Sequence, residues 1–408
     1  MRKNLRIGVF GCWRGSAYIK SFIEGKIGGA RITALCDKKP DRLEKALSLC
    51  PKGRLAPKTF TDPDEFFESG LFDAVWLCNY FNEHAKYAII ALNKNIHVFS
   101  ETMAASTMAD AVALCRAAEK SRAIYCMAEN YPYSRGCFEL KRIMDGGTLG
   151  KLIFAEGEYV HPMGPSDTFK YHNPASNGYY HWRRFLPVTY YCSHALAPLI
   201  FATGEHPKRV VAMAAADSDE RIVEYKKFKS EAAGVMLINT DKGSVFRVNG
   251  STSCAPHGNW YRLSCIKGGA ETVRGDQKKI RLVYNSWSKP EGAENETVYE
   301  AQWQSDADSA NSAGHGGGDY WVVRYFIEAC RGERAPFPDV YTACEMSAVG
   351  ILGWRSILNG NIAYDIPDFR NEAERVKWQD DRQNPMPSET LPNNIPYTLR
   401  PVTPKEDW

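Results

Sequence analysis

The sequence predicts an α/β chain: an N-terminal doubly wound parallel sheet, then a C-terminal α+β domain with a large open, mostly antiparallel sheet. Three observations carry that reading. A glycine-bearing turn joins a short apolar strand to a helix at the very start of the chain. Strand and helix patterns then alternate as far as residue 127, and alternation of this kind gives a parallel sheet. From Lys151 onward the pattern changes to long segments rich in β-branched and apolar residues, separated by hairpin-like turns. At 408 residues the chain exceeds what one core serves. The expected division is residues 1–127, residues 128–378 and an extended tail over 379–408.

Leu5–Phe10 is the first strand, Gly11–Ser16 a tight turn, and Ala17–Ile27 a helix with Ile19, Phe22 and Ile23 on one face. Arg31–Cys36 is the second strand and ends on Asp37. Further strands are expected over Phe72–Cys78, Ile96–Ser100 and Ala123–Met127, with helices over Glu83–Leu92 and Met108–Ser121 between them. Phe138–Asp145 reads as a short helix stopped by Gly146 and Gly147. The second sheet takes Leu152–His161, Arg209–Ala216, Ala232–Asn239, Ser244–Ser253, Tyr261–Lys267 and Lys279–Tyr284. Two helices come next, over Asp319–Ala329 and Tyr341–Leu358. The tail from Gln379 is rich in Pro, Asn and Thr.

Composition excludes several classes of function. A net charge of +3, with no basic stretch interleaved with aromatics, argues against nucleic-acid or membrane electrostatics. No apolar run is long enough to span a bilayer, and the start reads straight into a strand with no signal peptide. The twelve cysteines are scattered without CxxC pairs, so they read as reduced thiols of a cytoplasmic protein, with no metal site.

The opening turn points to a dinucleotide. Backbone N–H groups at a helix N-terminus can approach a pyrophosphate, which makes the first domain a Rossmann domain with Gly11, Trp13, Arg14 and Gly15 at its cofactor turn. Asp37 would accept from ribose hydroxyls and favours NAD over NADP, because a 2′-phosphate would meet a like charge; Lys38 and Lys39 pull the other way. Trp13 stands where the usual pattern has its second glycine, and Ser16 where it has the third. The indole either folds away from the cofactor or marks a turn that has lost it. Asn79, Glu101 and Asn130 come after successive strands and fall to the ribose–nicotinamide region. His84 reads as a helix start and His97 as a satisfied core residue.

Across nearly its whole length the chain resembles the Gfo/Idh/MocA family of NAD(P)-dependent sugar oxidoreductases. The resemblance rests on Gly8–Gly15, Asp37, Asn79–His84 and His97–Met103. The family's Glu-Lys-Pro is here Glu101-Thr102-Met103, and Tyr190 stands where the family has an Asp four residues before a His. A narrower resemblance accounts for both departures. Glu129–Tyr133, Glu158–His161, Tyr191–Pro198 and Gly314–Tyr320 are similar, in that order, to segments of the NAD-dependent glycosidases, whose best-known members are α-N-acetylgalactosaminidases. Cys192-Ser193 and two alanines replace residues of that pattern, so the sugar specificity is not carried over. The resemblance implies an NAD-dependent enzyme acting on a small sugar or glycoside, and a homo-oligomer.

Such an enzyme oxidises a sugar carbon transiently, eliminates the aglycone, adds water and reduces the product again. That chemistry needs several proton-passing groups rather than the carboxylate pair of ordinary glycosidases. Tyr191 and His194, three apart, would share one helix face and converge on a ligand; the alternative is that Tyr191 packs in the core and His194 caps a turn. Tyr159 and His161, two apart on a strand, face the same way, with Tyr159 as a second acid/base and His161 at the substrate, or as ordinary sheet residues. His315 reaches the sugar from its glycine-rich segment or belongs to a surface loop. Trp182 and Arg183 suit a saccharide face and its hydroxyls, or a solvated rim. Two other readings stay open: a plain sugar dehydrogenase that releases NADH, and a non-catalytic binding subunit on the same fold.

Overall fold

The structure, a computed structural model, describes residues 4–162, 186–216, 231–251 and 255–385. The chain forms two compact units. One comprises Met1–Ser134, Trp303–Cys344 and Val376–Gln379; the other comprises Arg135–Gln302, Glu345–Arg375 and Asp380–Trp408. Residues 303–344 thus belong with the N-terminal sheet although nearly all of the second sheet precedes them in sequence.

The first unit is a six-stranded sheet built from β1 (Leu5–Phe10), β2 (Ala30–Cys36), β3 (Lys58–Phe60), β4 (Ala74–Leu77), β5 (His97–Ser100) and β6 (Tyr125–Met127). The helices α1 (Cys12–Glu24), α2 (Pro40–Ser48), α3 (Pro63–Glu68), α4 (His84–Asn93) and α5 (Met108–Lys120) connect them. Strand order is β3-β2-β1-β4-β5-β6 and every pairing is parallel. The order reverses between β1 and β4, the switch point outside whose carboxyl ends such sheets bind ligands. Trp76, Phe99 and Tyr18 are fully buried, and Tyr18 meets both of the other rings edge to face, with Phe326 beyond Phe99 at 5.0 Å. Burial of each such ring contributes about 1.5–3 kcal/mol. β3 shows no period in the sequence because Lys-Thr-Phe is too short and polar.

The second unit holds α6 (Arg135–Asp145), β7 (Leu152–Val160), α7 (Ser193–Thr203), β8 (Pro207–Ala216), β9 (Glu231–Thr240), β10 (Val245–Ser251) and β11 (Gly258–Cys265). After these come β12 (Gly268–Val273), β13 (Asp276–Tyr284) and β14 (Glu296–Glu300). The chain then runs through α8 (Ala307–Ser312) and α9 (Gly318–Cys330), both of the first unit, to α10 (Val340–Leu358) and the two-residue β15 (Tyr364–Asp365). The nine described strands lie in the order β14-β13-β12-β11-β7-β10-β9-β8-β15, and among them every pair is antiparallel except β7–β10. Thr240-Asp241-Lys242-Gly243 makes the β9–β10 turn, with Gly243 at φ 86°.

The two faces of this sheet differ. Ala155, Tyr159, Met236, Ile238, Phe246, Val248, Tyr261 and Leu263 are buried on one. Across the other, register aligns Val211, Leu237, Arg247, Glu156, Arg262, Glu271, Arg281 and Val298 in one row. Alternating Arg and Glu in that row are ion-paired, and Leu237 and Val298 at its flanks are exposed.

Candidate functional site

Gly11 begins the site. Its φ of +93° is left-handed, and a Cβ there would lie 2.4 Å from the Cys78 carbonyl, so only glycine fits. The tight turn is this single residue, because α1 already starts at Cys12, five positions before the sequence pattern placed it. The earlier start takes Trp13 and Gly15 into the helix. Gly15 lets α1 close on Val9 of β1, the task usually given to the pattern's third glycine. Trp13 is 53% exposed and points its indole at Arg42 and Lys45 of α2, at 5.2 and 5.8 Å. The indole is thus turned toward α2.

Asp37 closes the turn from β2. Its carboxylate accepts the Cys12 N–H at 2.8 Å and the Lys39 N–H at 3.0 Å. The other strand ends bring Asn79, Glu101 and Asn130 to the same edge of the sheet. Asn79 Oδ1 and Asn130 Oδ1 are buried with no hydrogen-bond partner among the described residues. With the Gly11 turn and the first-turn N–H groups of α1, they fit the polar groups of a dinucleotide.

Glu101 and Arg14 do something the sequence did not disclose. The Arg14 guanidinium stacks on Tyr18 at 4.3 Å, and its Nε donates to Glu101 Oε1 at 2.5 Å. Its Nη2 donates to Oδ1 of Asp319 in α9 at 2.9 Å. Tyr18 also donates to Glu101, at 2.8 Å. Asp319 further accepts from Asn130 Nδ2 at 2.8 Å and engages His315 Nδ1 at 3.0 Å. Burial alone would raise both carboxyls, but the charge of Arg14 and the hydrogen bonds they accept hold Glu101 and Asp319 below the usual carboxylate range. The glycines around Asp319 make this possible: a Cβ on Gly314 would sit 2.6 Å from the carboxylate, and one on Gly318 would sit 2.4 Å from the Asn130 carbonyl. His315 is therefore anchored, and not the tip of a free loop.

His84 begins α4 as expected, its ring between the carbonyls of Met103 (3.0 Å) and Asn79 (3.2 Å); burial lowers its pKa. His97 is half-buried and accepts the Ile124 N–H at 3.1 Å.

The second unit brings another set together. Tyr159 lies on the covered face of β7, 4% exposed, and its ring meets that of His194 at 4.6 Å and that of Tyr191 at 5.8 Å. Tyr191 and His194 are 5.0 Å apart. They do not share one helix: Tyr191 ends a 3-10 turn over Val188–Tyr191, and His194 is the second residue of α7. The pair converges because the helix start is pressed onto the sheet. Gly157 has no side chain where the Ala195 carbonyl approaches, and Tyr261 donates to the His194 carbonyl at 2.8 Å. His161, exposed at the end of β7, lies 5.9 Å from Tyr159, on the same side as the period of two requires. His257, just before β11, joins at 5.2 Å from His161. No motif marks His257; only the pairing of β11 with β7 brings it here. Trp182 and Arg183 lie outside the described residues. Among the described residues no group of three or more His, Cys, Asp or Glu side chains is placed to hold a metal ion. Among the described helices none is long and apolar enough to cross a membrane.

Known proteins match both units. Residues 5–129 match the model of the oxidoreductase family with an NAD-binding Rossmann fold, and residues 203–379 that of the glycosyl hydrolase 109 C-terminal domain. A glycosyl hydrolase family 109 protein of Stenotrophomonas maltophilia is 25% identical over 90% of this chain and 89% of its own. An alpha-N-acetylgalactosaminidase of Bacteroides fragilis is 24% identical over 88% of this chain and 90% of its own. Among solved structures, a levoglucosan dehydrogenase in complex with NADH and levoglucosan superposes with a TM-score of 0.73, at 14% identity, over 90% of this chain and 100% of that one.

Proposed function

We propose that this chain, a member of the Gfo/Idh/MocA oxidoreductases with a C-terminal domain of the glycosyl hydrolase 109 type, hydrolyses a glycoside by transient oxidation. The observation that carries the reading is the cluster of Tyr159, Tyr191 and His194 in a chain whose other unit has an NAD-binding fold. Its proton-carrying groups are phenols and an imidazole, which suit stepwise proton transfer beside a redox step. NAD, when bound, would supply a hydride acceptor for a sugar carbon and the donor for its return, with no net consumption. His194 takes the proton of the hydroxyl being oxidised. The new carbonyl acidifies the neighbouring C–H, and Tyr159 or Tyr191 removes that proton as the aglycone departs from the next carbon. Water then adds to the enone, and the same groups return their protons. Gly11, Gly15, Asp37, Asn79 and Asn130 hold the dinucleotide, Trp13 and Arg14 contribute backbone N–H groups, and Glu101 braces Arg14. His161, His315, Trp182 and Arg183 contact the substrate.

The test is aglycone release from a panel of nitrophenyl glycosides, with NADH absorbance followed in the same cuvette. Release without net NADH is the expected result. NADH accumulating without release would make the chain a sugar dehydrogenase, the runner-up, since Tyr and His support simple oxidation as well.

Two coarser readings go with this. Ten of the eleven described cysteines are buried, which suits a reducing, cytoplasmic setting. The open sheet face, with Met213 66% exposed beside Leu237 at 46% and a self-complementary Arg–Glu row, suits pairing with a second copy. Sedimentation of the wild type and of Leu237→Glu tests this; a wild-type monomer refutes it.

A further inference from the structure

We propose that Asp319 is a positioning residue that fixes His315 as its Nδ1–H tautomer, so that Nε2 stands ready to accept a hydrogen bond from a ligand hydroxyl. Four observations converge on this. His315 Nδ1 lies 3.0 Å from Asp319 Oδ2, while the His315 side chain remains 40% exposed. The carboxylate is 3% exposed and held ionised by Arg14, so it can only accept; the hydrogen of that bond belongs to Nδ1. A neutral imidazole with its proton on Nδ1 has its lone pair on Nε2. The surroundings hold the ring in this pose: Gly314 gives up its Cβ to the carboxylate, His315 and Gly316 take positive φ of 54° and 63°, and Tyr131 meets the imidazole edge-on at 5.8 Å.

The same carboxylate grips Arg14 in the first turn of α1 and Asn130 just after β6, whose Oδ1 has no partner among the described residues. One buried group therefore sets three ligand-facing elements at once, and the hydroxyl that Nε2 meets belongs to a sugar substrate or to a cofactor ribose. This rests on the proposed function only for the identity of that hydroxyl. The tautomer does not depend on it.

Two measurements test the proposal. Long-range ¹H–¹⁵N correlation spectra of protein labelled at histidine, with His315 assigned by its loss in His315→Gln, are expected to show Nδ1 protonated and Nε2 bare. A bare Nδ1 with Nε2 protonated overturns the proposal whatever the enzyme's reaction is. The second measurement is a double-mutant cycle of His315→Ala and Asp319→Asn, read as NADH affinity by fluorescence and as KM and kcat with the glycoside. His315→Ala is expected to weaken one ligand by about tenfold, the loss of one hydrogen bond to a fixed acceptor. A rise confined to the glycoside KM assigns the hydroxyl to the sugar, and a rise in NADH Kd assigns it to the ribose. Asp319→Asn should cost that ligand less in the His315→Ala background than in the wild type, the difference being the part carried through His315 and the remainder the part carried through Arg14 and Asn130. Full additivity, or no change in either ligand on His315→Ala, refutes the positioning role.

Discussion

The two side-chain clusters achieve fixed geometry by opposite means. In the first unit, Arg14, Glu101 and Asp319 form a charged network, with Asp319 buried, Glu101 half-buried and every bond charge-assisted. In the second, Tyr159, Tyr191 and His194 are placed by ring contacts and by a helix start seated on a glycine. The difference suits their tasks. A network of ion pairs holds its protons where they are, because moving one would strand a buried charge. A set of phenols and an imidazole packed ring against ring keeps its geometry while protons come and go. The charged cluster is therefore read as scaffold and the aromatic one as chemistry.

That contrast breaks most sharply at His194. His194→Ala should lower kcat by about 10²–10⁴, the usual contribution of a general base, with NADH affinity and melting temperature nearly unchanged. If turnover stays within a few-fold of wild type, the aromatic cluster is not the chemical one.

Arg14→Met should do the reverse, costing stability first. It leaves the buried Asp319 and the half-buried Glu101 without their cation, and breaking a buried pair such as Arg14–Asp319 costs about 3–5 kcal/mol. The pH dependence should change sign as well. In the wild type both carboxyls titrate below their unfolded values of about 4, so their stabilisation is complete above that pH and is lost as pH falls through the folded values. Without Arg14, burial raises them, and acidification should instead restore stability as the orphaned carboxylates take up protons. Melting curves of both proteins between about pH 3 and 7 read this directly, and parallel curves would mean the network is not the scaffold.

What was legible in the sequence divides the same way. The parallel sheet was, because each of its longer strands is an apolar run between helical periods. So was the approach of Tyr191 to His194, although a 3-10 turn and a helix start supply it in place of one helix face. The charged network was not: Asp319 meets Asn130 across 189 positions and Arg14 across 305, and no local period encodes such a pairing. Its one sequence signal is a carboxylate placed straight after four glycines and a histidine, at the start of a helix. The strands β12 and β14 were missed because their residues are mostly half-exposed or exposed and polar, without the apolar run that marks a buried face.

Gly157→Ala probes the aromatic cluster through its support. The added methyl would lie 2.0 Å from the Ala195 carbonyl, so α7 must shift, with a cost of about 1–3 kcal/mol for overpacking. Because His194 moves with the helix, kcat should fall further than stability alone explains, while NADH binding is spared. Smaller again is Asp37→Ala, which removes the acceptor of the Cys12 and Lys39 N–H groups. A charge-assisted hydrogen bond contributes about 1.5–3 kcal/mol, so NAD should bind roughly tenfold or more weakly, with discrimination against NADP relaxed. Unchanged selectivity would take Asp37 out of the cofactor site.

Trp13→Ala should do least, and for a reason that sharpens the comparison. By pattern it occupies the most sensitive place in the turn, where a side chain would collide with the dinucleotide. In the structure α1 begins one residue after Gly11, so Trp13 radiates from a helix and packs against Arg42 and Lys45. Exposed cation–π contacts of this kind are worth about 0.5–1 kcal/mol each. Alanine keeps the helix where glycine would weaken it, so NADH affinity by fluorescence titration should change by less than about threefold. A large gain in affinity would show that the indole reaches back over the turn when the cofactor arrives, and would revive the reading of this chain as a fold that has given up its dinucleotide.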